Sequence, residues 1–175
     1  MIAQDKEEKV TDQAGDSSGK IPLCPKKTCG FKCCQFQQGN YIVLYPGELE
    51  EAKIQGKSTQ HLKFISNDKY GGTRGICKAS DTSNCDKGYK PLDCSSYPLF
   101  PNLEKGDSEI KWFLKGIKCP LQIDEIHEHI KWVLLKWNRL IQKNPFLKDW
   151  LQDVKMVGYE INSFDISSIN QQDLD

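Results

Sequence analysis

At 175 residues the chain has room for one domain with a tail at either end. Its 24 basic and 24 acidic residues cancel, so no global charge draws it to nucleic acid or to an anionic membrane. Hydrophobic residues make up only 38%; a modest core is expected, with something besides apolar burial ordering long stretches of chain.

Residues 1–20 are polar, charged and almost without apolar anchors, and they read as a disordered leader. The opening Met1-Ile2-Ala3-Gln4-Asp5-Lys6 lacks the apolar run of a signal peptide, and nowhere do eighteen apolar residues follow one another. The expected compartment is therefore the cytoplasm, with no membrane contact. Residues 21–101 are rich in cysteine and punctuated by glycine and proline, which predicts short turns rather than long regular elements. Within them Asn40 to Leu44 reads as a brief strand, and Pro46 to Gln55 as a short acidic helix opened by proline. Residues 102–118 read as a connector.

A stronger pattern follows. Ile123, Ile126, Ile130, Val133, Leu134, Trp137, Leu140 and Ile141 recur at helical spacing. Asn144-Pro145 breaks that helix and starts a second one with Phe146, Leu147, Trp150, Leu151 and Val154 as its apolar face, ending near Gly158. The tail, 159–175, offers a short strand at Tyr159–Phe164. The predicted architecture is a small α+β domain over residues 21–158, in which an irregular, cysteine-rich, metal-organised half packs on two C-terminal helices.

The chemistry lies in eight cysteines: Cys24, Cys29, Cys33, Cys34, Cys77, Cys85, Cys94 and Cys119. Eight would suit four disulfides, but in a reducing cytoplasm clustered thiols favour metal ligation. Four fall within eleven residues, Cys24-Pro-Lys-Lys-Thr-Cys29-Gly-Phe-Lys-Cys33-Cys34, with gaps longer than those of a two-residue zinc knuckle. Neighbouring side chains diverge, so Cys33 and Cys34 are not expected to be ordinary ligands of one small ion; one of them can face a second site, the core or a multi-iron cluster. Cys77, Cys85 and Cys94 are spaced like loop cysteines, and Cys119-Pro120 stands at the entrance to the long helix. Lys26, Lys27, Lys32, Lys78, Lys87, Lys90 and Lys118 crowd the thiols, which would lower their pKa and offset a multi-thiolate charge, although lysine is frequent throughout.

The order of these pieces resembles the YkgJ-family cysteine cluster proteins, zinc- or iron-chelating domains marked by a CxxCxxCC run. The run corresponds to Cys24, Cys29 and Cys33-Cys34, the spaced pair to Cys77 and Cys85, the Tyr-Pro element to Lys90-Pro91-Leu92-Asp93-Cys94-Ser95-Ser96-Tyr97-Pro98, and the late pair to Cys119-Pro120. Lys90 and Ser95 stand where that family has arginines, so a bidentate anion clamp is not implied here. The resemblance implies all eight cysteines as metal ligands. Through a likeness to the cysteine-rich part of flagellin lysine methylases, it also implies one enzymatic alternative, a cluster-dependent protein-modifying enzyme.

The remaining candidates read as structural. His127 and His129 point about 200° apart on a helix and cannot share an ion; both fit a solvated face, with His127 able to join a site singly. His61 carries no motif. Asp81, Asp86 and Asp93 read as turn residues, and Tyr70-Gly71-Gly72-Thr73-Arg74-Gly75 as a turn without the Gly-Lys-Ser/Thr ending of a phosphate loop. Trp137 reads as core.

The sequence thus points to an iron–sulfur cluster, preferred for the unequal gaps and the vicinal pair, or to zinc, in an accessory or electron-carrying protein. A disulfide-linked binding module is the third class. No nucleic-acid partner is expected, and no motif identifies a protein partner.

Overall fold

A computed structural model describes residues 29–35 and 41–162; the leader 1–20, Cys24 and residues 163–175 lie outside the described part. Strand β1 (Ile42–Leu44) carries three consecutive aliphatic side chains, all buried. Alternation along a strand sends Val43 to one face and Ile42 and Leu44 to the other. Val43 accordingly joins the main core, whereas Ile42 and Leu44 join Leu62 in a small second cluster.

After β1 the chain turns at Gly47, whose φ of 91° is open to glycine, into helix α1 (Glu48–Ile54). Strands β2 (Leu62–Asn67) and β3 (Thr73–Cys77) form a hairpin with a register slip between Phe64 and Ser66. Its turn is closed by Asp68, whose Oδ1 accepts the amides of Tyr70 and Gly72, both at 2.9 Å. The first sheet runs β1-β3-β2, antiparallel throughout.

Helix α2 (Leu92–Ser96) leads into a second antiparallel sheet, β4 (Leu99–Asn102), β5 (Trp112–Gly116) and β6 (Tyr159–Asn162), in the order β4-β5-β6. Helix α3 (His127–Lys143) and helix α4 (Leu147–Asp153) close the core. Ile130, Val133, Leu134, Trp137 and Ile141 of α3 are buried at helical spacing, as their periodicity requires. Trp137, Trp150, Phe100 and Phe113 are its largest buried members; each fully buried large side chain contributes about 1.5–3 kcal/mol. No helix of the described residues is long and apolar enough to cross a membrane.

Several expectations need correcting. The stretch 102–118 is not a mere connector, because Trp112–Gly116 is the central strand of the second sheet. Residues 41–101 are less irregular than predicted: they build the first sheet and send Val43, Tyr45, Leu99 and Phe100 into the main core. The second helix stops at Asp153, short of Gly158. The mixed α+β architecture itself is present.

Candidate metal centre

Seven of the eight predicted ligands are described. Cys29, Cys33 and Cys34 lie on a tight turn in which Gly30 (φ 62°) and Phe31 (φ 55°) are both left-handed and lead into a 3₁₀ turn at Lys32–Cys34. Cys77 ends β3, Cys85 opens a turn, Cys94 sits in α2 and Cys119 follows β5. All seven are half-buried.

Some of these thiols feel one another's charge across distant parts of the chain. Cys33 and Cys34 lie with their sulfurs 3.9 Å apart. Cys34 also lies within the charge field of Cys94 and Cys85, Cys94 within that of Cys85 and Cys77, and Cys119 within that of Cys33 and Cys29. Among the described residues, however, no three or more His, Cys, Asp or Glu side chains converge closely enough to hold a metal ion. The thiols are neighbours without a closed coordination shell.

Their electrostatics explain what such a group lacks. Its hydrogen bond to Cys33, then burial, then the neighbouring sulfurs push the Cys34 thiol up. Burial, followed by Asp93 and Cys85, does the same for Cys94 against the opposing charge of Lys90. Burial raises Cys119 as well, opposed by the Leu121 amide and by Lys115. Thiolates crowded in this way cannot ionise together without a cation to compensate them, which is the service a soft divalent metal performs. Sulfur is the soft donor type that zinc and iron take, and backbone amides are turned to two of the sulfurs. The Ala79 amide donates to Cys77 Sγ at 3.4 Å, and the Leu121 amide does so to Cys119, past a proline that has no N–H. In both turns the donor lies two residues after the sulfur.

Backbone strain is concentrated in the same segments. Phe31, Cys85, Asp86 and Lys87 are the non-glycine residues with positive φ among those described, each within two residues of a cysteine. Left-handed backbone costs an L-residue about 1–2 kcal/mol. Around Cys85 it is held by Asp86, whose carboxylate accepts the amides of Ser80 (2.9 Å) and Asp81 (2.7 Å), and by Asn84, which accepts from Lys87. Asp81 and Asp86 are turn residues as expected.

Helix α2 ties this region to the rest. Asp93 is no turn residue: it is buried and accepts the Val43 amide (2.9 Å) from the first sheet and the Tyr159 hydroxyl (2.8 Å) from the second. Ser96 offers its carbonyl to His129 Nε2 (2.9 Å) and its hydroxyl to Trp137 Nε1 (3.2 Å). His129 is therefore a buried structural histidine stacked on Trp132, not part of a solvated face, and burial pushes its pKa down; His127 is exposed. Lys118 donates to the Gln35 carbonyl, fastening the 29–35 turn to the loop of Cys119.

Sequence reasoning gave no packing role to Lys115, Tyr97 or His61. Lys115 is buried and donates to the Cys119 carbonyl at 3.2 Å; only the alternation of a strand taken for a connector would have pointed to it. Tyr97 turns its ring onto Gly116, where an added Cβ would stand 2.3 Å from the ring. Gly116→Ala is expected to lower stability by about 1–3 kcal/mol, read as a lower urea midpoint; an unchanged midpoint would show that the ring has room to move. His61 is buried against Gly88 with its Nε2 unpartnered, a position no motif announced.

A cleft of about 290 Å³, lined among others by Tyr45, Leu49, Phe64 and Thr73, contains no cysteine. Comparison of the chain with protein families, with curated proteins and with solved structures finds no match.

Proposed function

We propose that this chain is a metal-binding cysteine cluster protein. In this reading Cys29, Cys33, Cys34, Cys77, Cys85, Cys94 and Cys119, together with Cys24, hold zinc or an iron–sulfur cluster in an accessory or electron-carrying role. The observation that carries the reading is the pair Cys33 and Cys34 on one tight turn, their sulfurs 3.9 Å apart, with Cys85 and Cys94 among the electrostatic neighbours of Cys34. Chance scatter over a surface would leave most of them isolated, and disulfide formation would not need amides aimed at individual sulfurs. The order of the same residues in the sequence, similar to that of the YkgJ family, supports it independently.

The test is anaerobic purification of the full chain with quantification of iron, zinc and acid-labile sulfide and a visible spectrum. A brown protein with matched iron and sulfide identifies a cluster; a colourless protein with stoichiometric zinc identifies zinc. A protein without metal, its thiols oxidised in pairs, refutes the reading.

A further inference from the structure

We propose that the cleft between the start of α1 and the β2–β3 hairpin binds a small primary ammonium ion with an apolar body. Glu50 pairs with its charge, and Phe64 and Leu49 cover its carbon. No cysteine lines this cleft, so the site goes beyond the metal-binding reading and stands apart from it.

The cleft holds about 290 Å³, close to the lower end of the roughly 300–1,000 Å³ of small-ligand sites. One wall is α1 with the turn before it, which supplies Tyr45, Leu49 and Glu50. The other is the hairpin, which supplies Phe64, Asn67 and Thr73. Gly47 and Gly71, both at positive φ, also line it, and a Cβ added at either would meet nothing within 4 Å. The space beside both glycines is open.

The apolar part of the cleft is built on the first sheet. Phe64 shares a face of β2 with Leu62, and Gly75 stands opposite it in register. The ring lies over that glycine, where an added Cβ would stand 3.5 Å from Cδ1, yet Phe64 keeps 44% of its surface exposed. Leu49, packed on the small cluster of Ile42, Leu44 and Leu62, adds an aliphatic surface to the same cleft. An exposed ring of this kind takes the carbon of a ligand and attracts a cation to its face.

Charge decides which ligand fits. Among the lining residues Glu50 alone is charged. Its neighbours in the same turn are committed elsewhere: Glu48 is buried on three donors, and Glu51 accepts the Tyr45 hydroxyl at 2.6 Å. Glu50 is exposed and has no hydrogen-bond or ion-pair partner among the described residues, Lys53 one turn further along α1 included. Across the cleft the Thr73 hydroxyl donates to Asn67 Oδ1 at 3.0 Å, which leaves the Thr73 oxygen able to accept. A primary ammonium brings three N–H donors and no acceptor, and so can use both oxygens. A carboxylate or phosphate would meet Glu50 with no cation in the lining to offset it.

The test titrates the nitrogen-15-labelled full chain at pH 7 with 2-phenylethylamine, an aromatic primary amine protonated there, and follows backbone amide shifts. Phenylacetate, of similar size and opposite charge, is the comparison. The amine is expected to give saturable shifts centred on residues 45–50 and 64–73, and phenylacetate none there. Glu50→Gln, a surface change, is expected to weaken the amine about two- to fivefold. Phe64→Leu, which keeps an apolar group but removes the ring, is expected to weaken it by about the same factor. The comparison with phenylacetate uses the wild-type chain and does not depend on how a variant folds. Shifts that fail to saturate, that centre on other residues or that phenylacetate reproduces overturn the proposal, as does undiminished affinity in Glu50→Gln. Metal content is held constant throughout, so failure here is separate from failure of the metal-binding reading.

Discussion

Stripping metal from the loaded full chain is expected to abolish amide-exchange protection in β3 and in the 29–35 turn while α3 keeps its own. The reason lies in how unequally apolar burial is distributed. Helix α3 packs into the main core with Trp137, Trp150, Phe100 and Phe113, a cluster that needs no thiol. Cys94 packs instead against a second cluster of three buried residues, Ile42, Leu44 and Leu62, while Cys119 packs against the main one. The turns at 29–35 and around Cys85 also carry the left-handed strain at Phe31 and at Cys85–Lys87. Regions with so little burial open locally at low cost unless something else ties them down. Structural zinc supplies about 10–16 kcal/mol in small domains, far more than the local strain subtracts. Hydrogen exchange with and without chelator reads the difference. Unchanged protection in β3 would mean that the thiols hold no metal, and simultaneous loss in α3 would mean that the metal organises the whole domain.

How much of this was legible in the sequence follows from which forces act locally. Helix α3 was readable because its burial is one-sided and periodic, and β1 because three aliphatic residues stand between turn formers. Strand β5 was not readable. Its alternation places Lys115 in the interior, where a pattern reader expects an apolar residue, and the partner that makes this tolerable is a carbonyl four residues on. β2 escaped because it is an edge strand, exposed except at Leu62, so its sequence carries little periodic signal. The cysteines could be named from the sequence, but the placement of Cys94 could not, since it depends on α2 bridging the two sheets through Asp93. His129 was misjudged for a similar reason: its partner, the Ser96 carbonyl, lies 33 residues away.

Replacing Glu48 with alanine is expected to cost about 3–5 kcal/mol at neutral pH, and with glutamine to flatten the pH dependence of stability. Glu48 is fully buried in the first turn of α1. Its carboxyl accepts the Tyr45 amide (2.9 Å), the Leu92 amide (2.6 Å) and the Tyr89 hydroxyl (3.0 Å), fastening β1 and α1 to the start of α2. Alanine would orphan all three donors at once. Burial pushes the carboxyl up to about 8, against the downward pull of those three bonds. A carboxyl whose folded pKa lies above its unfolded value of about 4.3 stabilises the fold when protonated. That contribution is complete below about pH 4.3 and is lost as pH rises through about 8, on the order of 4 kcal/mol across the window. Asp93, also buried and raised to about 6, shares the lower part of that range, so the interval from pH 7 to 8 isolates Glu48. Glutamine cannot ionise, although its amide group faces one of the donors and lowers stability by about 1–3 kcal/mol at every pH. Urea unfolding at pH 5, 7 and 8 under constant metal loading separates the two effects: the wild-type chain should weaken between 7 and 8 and Glu48→Gln should not. Parallel profiles would place the titration elsewhere and leave Glu48 a hydrogen-bond acceptor that stays ionised throughout.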